Sequence, residues 1–221
     1  MTRVFYTRMS VTEQTDPALY NYWMELVPTV ISDKIIKYRR WQDAQACLFG
    51  KILLLQCFQR FYPSCTLNDL KYSAYQRPYI NQPIDFNISH SGEYIVCVVS
   101  DECRVGIDVE EMKVIDYDVY STQFTDEEWG LISSSGDSKR AFYRIWTQKE
   151  ALIKANGKGL SIPLKSVQIS DTTAVVENMK WFLTELPLSK QYSCHLATDK
   201  PIADTIFLTY EAIAVNPMIL Q

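Results

Sequence analysis

Three carboxylates and one lysine are the residues of this 221-residue chain best placed to do chemistry. Asp108 and Glu110 lie in Val105-Gly106-Ile107-Asp108-Val109-Glu110, an apolar, β-branched run. Side chains alternate faces along a strand, so these two acids point the same way. Glu150 and Lys154 lie four apart in the stretch Trp146-Thr147-Gln148-Lys149-Glu150-Ala151-Leu152-Ile153-Lys154-Ala155-Asn156-Gly157-Lys158-Gly159-Leu160. Its helical pattern puts them on one face. Brought together, the three acids and the lysine would make a magnesium-dependent phosphate site. Mg²⁺ takes one or two protein carboxylates and leaves its other positions to phosphate oxygens and water. Each pair also has a plainer reading. Asp108 and Glu110 fit an edge strand with two solvated acids, and Glu150 with Lys154 fits a surface ion pair worth about 0.2–0.5 kcal/mol. Gly106 favours the functional reading of the first pair, because a glycine in a strand permits close approach of another group. Trp146, Leu152 and Ile153 favour it for the second, since they mark a helix that is not simply solvated.

Other polar residues could join such a site. Phe86-Asn87-Ile88-Ser89-His90-Ser91-Gly92 reads as a strand ending in hydrogen-bonding side chains. It fits either a polar turn or phosphate and ligand contact by Ser89 and His90. No Gly-x-Ser-x-Gly elbow occurs, which argues against a hydrolase nucleophile at this serine. Lys34, Lys37, Arg39 and Arg40 form a dense basic cluster, either a solvated face or an anion site. Arg77-Pro78 sets a further cation beside a rigid turn. Lys149 and Lys158 add charge near a helix end, where cations complement the helix dipole. Neither common glycine-rich phosphate loop is present.

The elements that must position these groups follow from the pattern. Residues 3–7 alternate like a short strand. Thr12-Glu13-Gln14 before Leu19, Trp23, Leu26 and Val27 reads as a capped amphipathic helix. Ser32-Asp33 opens a short basic helix to Arg40, and a long helix covers 42–62, stopped by Pro63. Residues 70–75, 85–89, 94–100 and 104–110 read as strands. Thr125-Asp126-Glu127-Glu128 is a capping-box signal, and 138–155 is a second long helix stopped by Asn156-Gly157. Residues 165–170, 179–186, 192–198 and 205–210 read as strands. The expected architecture is therefore α+β with two similar halves, 1–105 and 106–221, each a long helix packed on a small, mostly antiparallel sheet.

Bulk properties narrow the function. The net charge of −4 argues against a nucleic-acid binder, which would usually be basic. No run of eighteen apolar residues is present, so no membrane helix is expected. The first residues, Met1-Thr2-Arg3-Val4-Phe5-Tyr6, lack the apolar core of a signal peptide, so a cytoplasmic location is expected. Six cysteines without a Cys-x-x-Cys pair read as reduced thiols. With two histidines, a Cys/His zinc site is not expected.

Together the stretches Phe86–Ser91, Val105–Glu110 and Trp146–Leu160, in that order and at that separation, resemble the 4′-phosphopantetheinyl transferases of the Sfp-like, surfactin-synthetase-activating type. The resemblance runs from about residue 30 to 165. It implies a pseudo-twofold α+β fold with the active site between the halves. It implies transfer of 4′-phosphopantetheine from coenzyme A to a serine of an acyl, peptidyl or polyketide carrier protein, with release of 3′,5′-ADP. By the same resemblance Asp108, Glu110 and Glu150 would hold Mg²⁺ on the pyrophosphate, and Lys154 would contact the phosphate near the carrier serine. His90 and Ser89 would contact the nucleotide, Lys34 and Lys37 the 3′-phosphate, and Arg77-Pro78 would lie near the adenine. Glu150 or a metal-bound water would take the serine proton, and Glu128 would either support this chemistry or start a helix. Carrier choice would rest on a surface near residues 112–135, and a two-half chain of this length would be a monomer. Two departures stand out. Gln76 sits where relatives often have Gly, and Cys47 where they can carry a hydroxyl or basic residue facing the phosphate. A non-catalytic coenzyme A-binding module and a Mg²⁺-dependent pyrophosphate hydrolase are the competing expectations.

Overall fold

Strand β1 (Thr2–Arg8) buries side chains on both faces, Phe5 into the core under the first long helix and Val4 into the core between the sheets. In this computed structural model, which describes residues 1–202 and 208–211, three helices follow. Helix α1 (Pro17–Leu26) is capped by Asp16, whose carboxylate accepts from the N–H groups of Ala18 (3.0 Å) and Leu19 (3.1 Å). The cap lies four residues beyond the Thr12 signal because Pro17, unable to donate inside a helix, suits its first position. Helix α2 (Thr29–Ile35) buries Ile31 and Ile35 and then stops. The expected basic helix to Arg40 does not form. Residues 36–40 are all exposed, so continuing the helix would bury nothing. Helix α3 (Trp41–Phe61) is the first long helix, with Leu48, Ile52, Leu53 and Phe58 in the core.

Next come β2 (Lys71–Tyr72) and β3 (Pro78–Tyr79), a two-stranded ribbon where one strand over 70–75 was expected. Gln76 turns the chain back between them at φ 62°, in the left-handed region. Then follow β4 (Asp85–Ser91), β5 (Tyr94–Ser100) and β6 (Val105–Glu111). Helix α4 (Asp126–Ser134) carries the expected capping box. Helix α5 (Ser138–Asn156) ends at Gly157, φ 91°. The remaining strands are β7 (Gln168–Ser170), β8 (Thr173–Val176), β9 (Met179–Glu185), β10 (Tyr192–Thr198) and β11 (Leu208–Tyr210). Strand β8 escaped the sequence reading. Glu177 and Asn178, both at positive φ, make the two-residue hairpin turn that joins it to β9. The strand expected over 205–210 lies partly outside the described residues.

The same pairing scheme is used twice. In the first sheet β1 pairs antiparallel with β5 and β5 with β4, while α3 packs against that sheet. In the second, β6 pairs antiparallel with β10 and β10 with β9, while α5 packs against it. Strand β11 returns to the first sheet, parallel to β1. The repeat is thus one of topology, invisible as repeated residues.

A core between the two sheets joins the halves. Val96 and Val98 of β5 meet Val105, Ile107 and Val109 of β6 and Leu196 of β10, all essentially without exposure. Strand β5 sends its other face, Ile95, Cys97 and Val99, into the core under α3. Burial on both faces is why Tyr94–Ser100 reads as a continuous apolar run.

Strands β4 and β6 meet differently. Alternate side chains of β4 accept from alternate backbone N–H groups of β6. Asp85 accepts from Val105 (2.9 Å), Asn87 from Ile107 (2.9 Å), Ser89 from Val109 (3.4 Å) and Ser91 from Glu111 (3.1 Å). Polar residues at every second position of β4 therefore stitch one sheet to the other.

Candidate active site

The face of β6 turned away from the inter-sheet core carries Gly106, Asp108 and Glu110, and α5 lies across it. Gly106 makes this crossing possible. A Cβ at that position would run into the Ala151 carbonyl oxygen and the Ala155 nitrogen, and would stand 2.8 Å from the Ala155 Cα. The close approach expected from the sequence is therefore the approach of the long helix itself. It carries Glu150 and Lys154 over the two acids of the strand.

The Lys154 Nζ donates to Asp108 Oδ1 at 2.5 Å and to Ser89 Oγ at 3.0 Å. Ser89 in turn donates to Asp108 Oδ1 at 2.9 Å, and Ser91 donates to Glu110 Oε2 at 2.8 Å. Asp108 is 3% exposed, and its second oxygen, Oδ2, is buried with no partner. Burial pushes the Glu110 carboxyl up to about 7, with help from Asp108 and against the opposing Ser91 hydroxyl and Lys154 ammonium. Burial and Asp108 also raise Glu150, while Lys154 pulls it down. Burial alone would lower the Lys154 ammonium, but Asp108, Glu150 and Glu110 outweigh it and hold the ammonium charged.

Three acids thus share one lysine, and the surplus negative charge together with the unpartnered Asp108 oxygen fits a hard divalent cation. Among the described residues no three His, Cys, Asp or Glu side chains form a ready-made metal cage.

The other expected residues fall into two groups. Ser89 joins the cluster. His90, one residue along β4, points to the opposite face and is exposed. It lines an open cavity of ≈ 420 Å³ together with Arg40, Asp43, Gly92, Glu111 and Lys113. Lys34 and Lys37 stay exposed on the first half, the Lys34 ammonium 3.9 Å above the ring of Tyr72. Arg77 points inward. Its guanidinium grips both oxygens of Asp85 at 2.8 Å and donates to the carbonyls of Lys154 and Val105, each at 2.9 Å. Pro78, next in the chain, pairs with Tyr72 in the β2–β3 ribbon.

Two lysines near the site serve other ends. Lys149, expected as a charge at the helix end, is fully buried and bonds Glu128 Oε2 (2.6 Å) and the Leu164 carbonyl (2.9 Å). Glu128 also accepts from the Thr125 N–H at 2.8 Å and closes the capping box of α4. Lys158 pairs with Glu177 at 2.6 Å on the surface.

Sequence reasoning missed a polar layer beneath α5. Thr147 donates to the Tyr143 carbonyl at 2.8 Å, and its oxygen lies 2.7 Å from His195 Nδ1 and 2.9 Å from Ser193 Oγ. Ser193 and His195 pair across the ladder with Glu110 and Asp108. The signal was present: Tyr192-Ser193-Cys194-His195-Leu196 alternates as Val105–Glu110 does.

Two family signatures match the chain. The 4′-phosphopantetheinyl transferase superfamily signature matches residues 104–206, and that of the 4′-phosphopantetheinyl transferase N-terminal region matches 14–102. The chain is 30% identical over 195 residues to the 4′-phosphopantetheinyl transferase gsp of Aneurinibacillus migulanus, spanning 84% of this chain and 82% of that one. It is 31% identical over 153 residues to the 4′-phosphopantetheinyl transferase Sfp of Bacillus subtilis, spanning 66% and 67%. It is 29% identical over 211 residues to the mouse L-aminoadipate-semialdehyde dehydrogenase-phosphopantetheinyl transferase, spanning 76% and 66%.

Proposed function

The chain belongs to the 4′-phosphopantetheinyl transferase superfamily, and on that premise we propose that it transfers 4′-phosphopantetheine from coenzyme A to a serine of a carrier protein, acyl, peptidyl or polyketide, with Mg²⁺ and release of 3′,5′-ADP. Transfer of phosphopantetheine is the enzymatic chemistry of the family and of this chain. Among the described residues no helix is long and apolar enough to cross a membrane. We place the reaction in the cytoplasm, carried out by a monomer whose halves, 1–105 and 106–221, meet at the site.

The observation that carries this reading is the pairing of Lys154 with Asp108 at 2.5 Å across the helix–strand crossing, with Glu110 and Glu150 in the same field. Asp108, Glu110 and Glu150 would hold Mg²⁺, and the bound ion would supply charge stabilisation at the pyrophosphate oxygens. The serine oxygen attacks the phosphorus bearing the pantetheine arm, and the bond from that phosphorus to the oxygen of 3′,5′-ADP breaks. Lys154, held charged by its acidic neighbours, donates to a phosphoryl oxygen as its charge grows. Glu150 would take the serine proton directly or through water. His90 contacts the nucleotide from its cavity, with Ser89 bracing the cluster beneath it. Lys34 and Lys37 receive the 3′-phosphate as exposed cations, and the Arg77-Pro78 segment flanks the adenine through its backbone and ring.

The test is a mass-shift assay against a panel of purified carrier proteins with coenzyme A and Mg²⁺. One carrier should gain the phosphopantetheine mass, and Asp108→Ala should remove that gain. Absence of any gain across the panel sinks the reading. Tight coenzyme A binding without turnover would mark a binding module instead, and 3′,5′-ADP released without a carrier would mark a hydrolase.

A further inference from the structure

Lys154 is held at both ends. Its ammonium meets Asp108 and Ser89, and its carbonyl oxygen accepts from Arg77 Nε at 2.9 Å. That carbonyl is one of the last four of α5, which have no partner inside the helix. The Gly157 N–H satisfies Ile153 instead, and Arg104 takes the carbonyl of Asn156. Arg77 therefore acts as a cap reaching in from the β2–β3 ribbon, and its positive charge suits the negative end of the helix.

The same guanidinium fixes that helix end to both sheets. Its two terminal nitrogens hold the two Asp85 oxygens of β4 at 2.8 Å, a bidentate pair whose direction is set by the planar fork. One of them also donates to the Val105 carbonyl at the start of β6. Asp85 closes the circuit by accepting from the Val105 N–H at 2.9 Å. Both side chains are largely buried, 13% and 17% exposed. In this geometry five donations of the guanidinium face protein, the fifth a longer one to the Phe86 carbonyl at 3.5 Å, and Asp85 is largely shielded from solvent.

The geometry points to Arg77 and Asp85 as positioning residues for Lys154. They set where the last turn of α5 stands relative to β4 and β6, and so where the ammonium meets a phosphoryl oxygen. A displacement near 1 Å at such a group lowers rate by about 10²-fold without touching the reacting atoms. This inference rests on the transferase reading above.

The experiment compares wild type, Arg77→Lys and Asp85→Asn in steady-state transfer to the carrier that wild type modifies, with coenzyme A affinity measured by calorimetry. Folding is checked by urea titration. Wild type sets the reference, so failure of wild type on every carrier condemns the transferase reading and not this pair. We expect kcat to fall about ten- to a hundred-fold in both variants, with coenzyme A affinity within about threefold of wild type. In a Lys154→Ala background, Arg77→Lys should then lower the residual rate by less than about twofold, because the group it positions is gone. Three results overturn the inference. One is an unchanged kcat in both folded variants. Another is a raised KM for coenzyme A at full kcat, the signature of a nucleotide contact. The third is loss of folding in both variants, which would make the pair a requirement of the fold alone.

Discussion

Gly106 on β6 lies against the backbone of Ala155 on α5, and no side chain fits between them. The clash partners are main-chain atoms of a packed helix, so they cannot swing aside. Gly106→Ala must push α5 away from β6 and with it Glu150 and Lys154 away from Asp108 and Glu110. Overpacking of this kind destabilises by about 1–3 kcal/mol. Transfer should fall by about 10²-fold or more in protein that urea titration shows to be folded. Near-normal transfer would mean that the strand and helix need not touch for the chemistry.

Gln76 occupies a left-handed turn at φ 62°. That conformation costs an ordinary residue about 1–2 kcal/mol, against about 0.5–1 kcal/mol of extra chain entropy lost by glycine. Gln76→Gly should therefore raise the urea midpoint, by about 0.5 kcal/mol of stability. Gln76 is thus a strain carried by the turn, and the Arg77 side chain beyond it keeps its bonds. A lowered midpoint would refute the strain.

Glu128 and Lys149 form an ion pair with the lysine fully buried. Removing one partner leaves the other charge uncompensated, a loss of about 3–5 kcal/mol. Glu128→Ala should lower the melting temperature sharply. Its kcat, measured on folded protein at low temperature, should stay within about threefold. A collapse of kcat with stability intact would instead give Glu128 a part in the reaction.

His195 is buried without exposure, and burial, reinforced by the Arg144 and Arg140 guanidiniums, holds its pKa down to about 3 from the usual 6.5. Around it stand Thr147, Arg140 and Arg144 of α5, Ser193 of its own strand, Asp108 of β6 and Glu185 of β9. The folded pKa lies below the unfolded one, so the neutral ring stabilises fully above pH 6.5. That stabilisation drains as pH falls toward 3, because only the unfolded chain takes up the proton. This group alone contributes a slope of about 1.4 kcal/mol per pH unit in that window. Urea titrations between pH 7 and 4.5 should show it, and His195→Gln should remove one proton's share of the slope. An unaltered slope would show a ring that titrates freely.

The residues that could be read in advance are those whose role follows from local period. Asp108 with Glu110, and Glu150 with Lys154, obey the spacings of a strand and a helix, and the structure gathers them as those spacings imply. The stop of α5 at Gly157 is equally local. What stayed hidden depends on partners far along the chain. Lys149 looked like a charge for a helix end because Glu128, 21 residues away, and the Leu164 carbonyl could not be seen to bury it. Arg77 looked free because Asp85 and α5 had not been brought to it. The cap of α1 was misplaced because a threonine signal was weighed above Pro17. Strand β8 was missed because its turn uses Glu177 and Asn178 where glycine would have announced it.

The stitching of β4 to β6 carries one more consequence. A ladder of backbone bonds accepts almost any sequence and can slip by two residues without changing which faces are buried. The junction here reads its partner chemically, since each rung needs a short polar side chain at every second place. Slippage by two would carry Asp85, and the arginine bound to it, away from Val105. Because the polar teeth repeat at every second place, such a slip would keep most rungs, and it is the Asp85–Arg77 pair at one end that singles out the native alignment of the two halves.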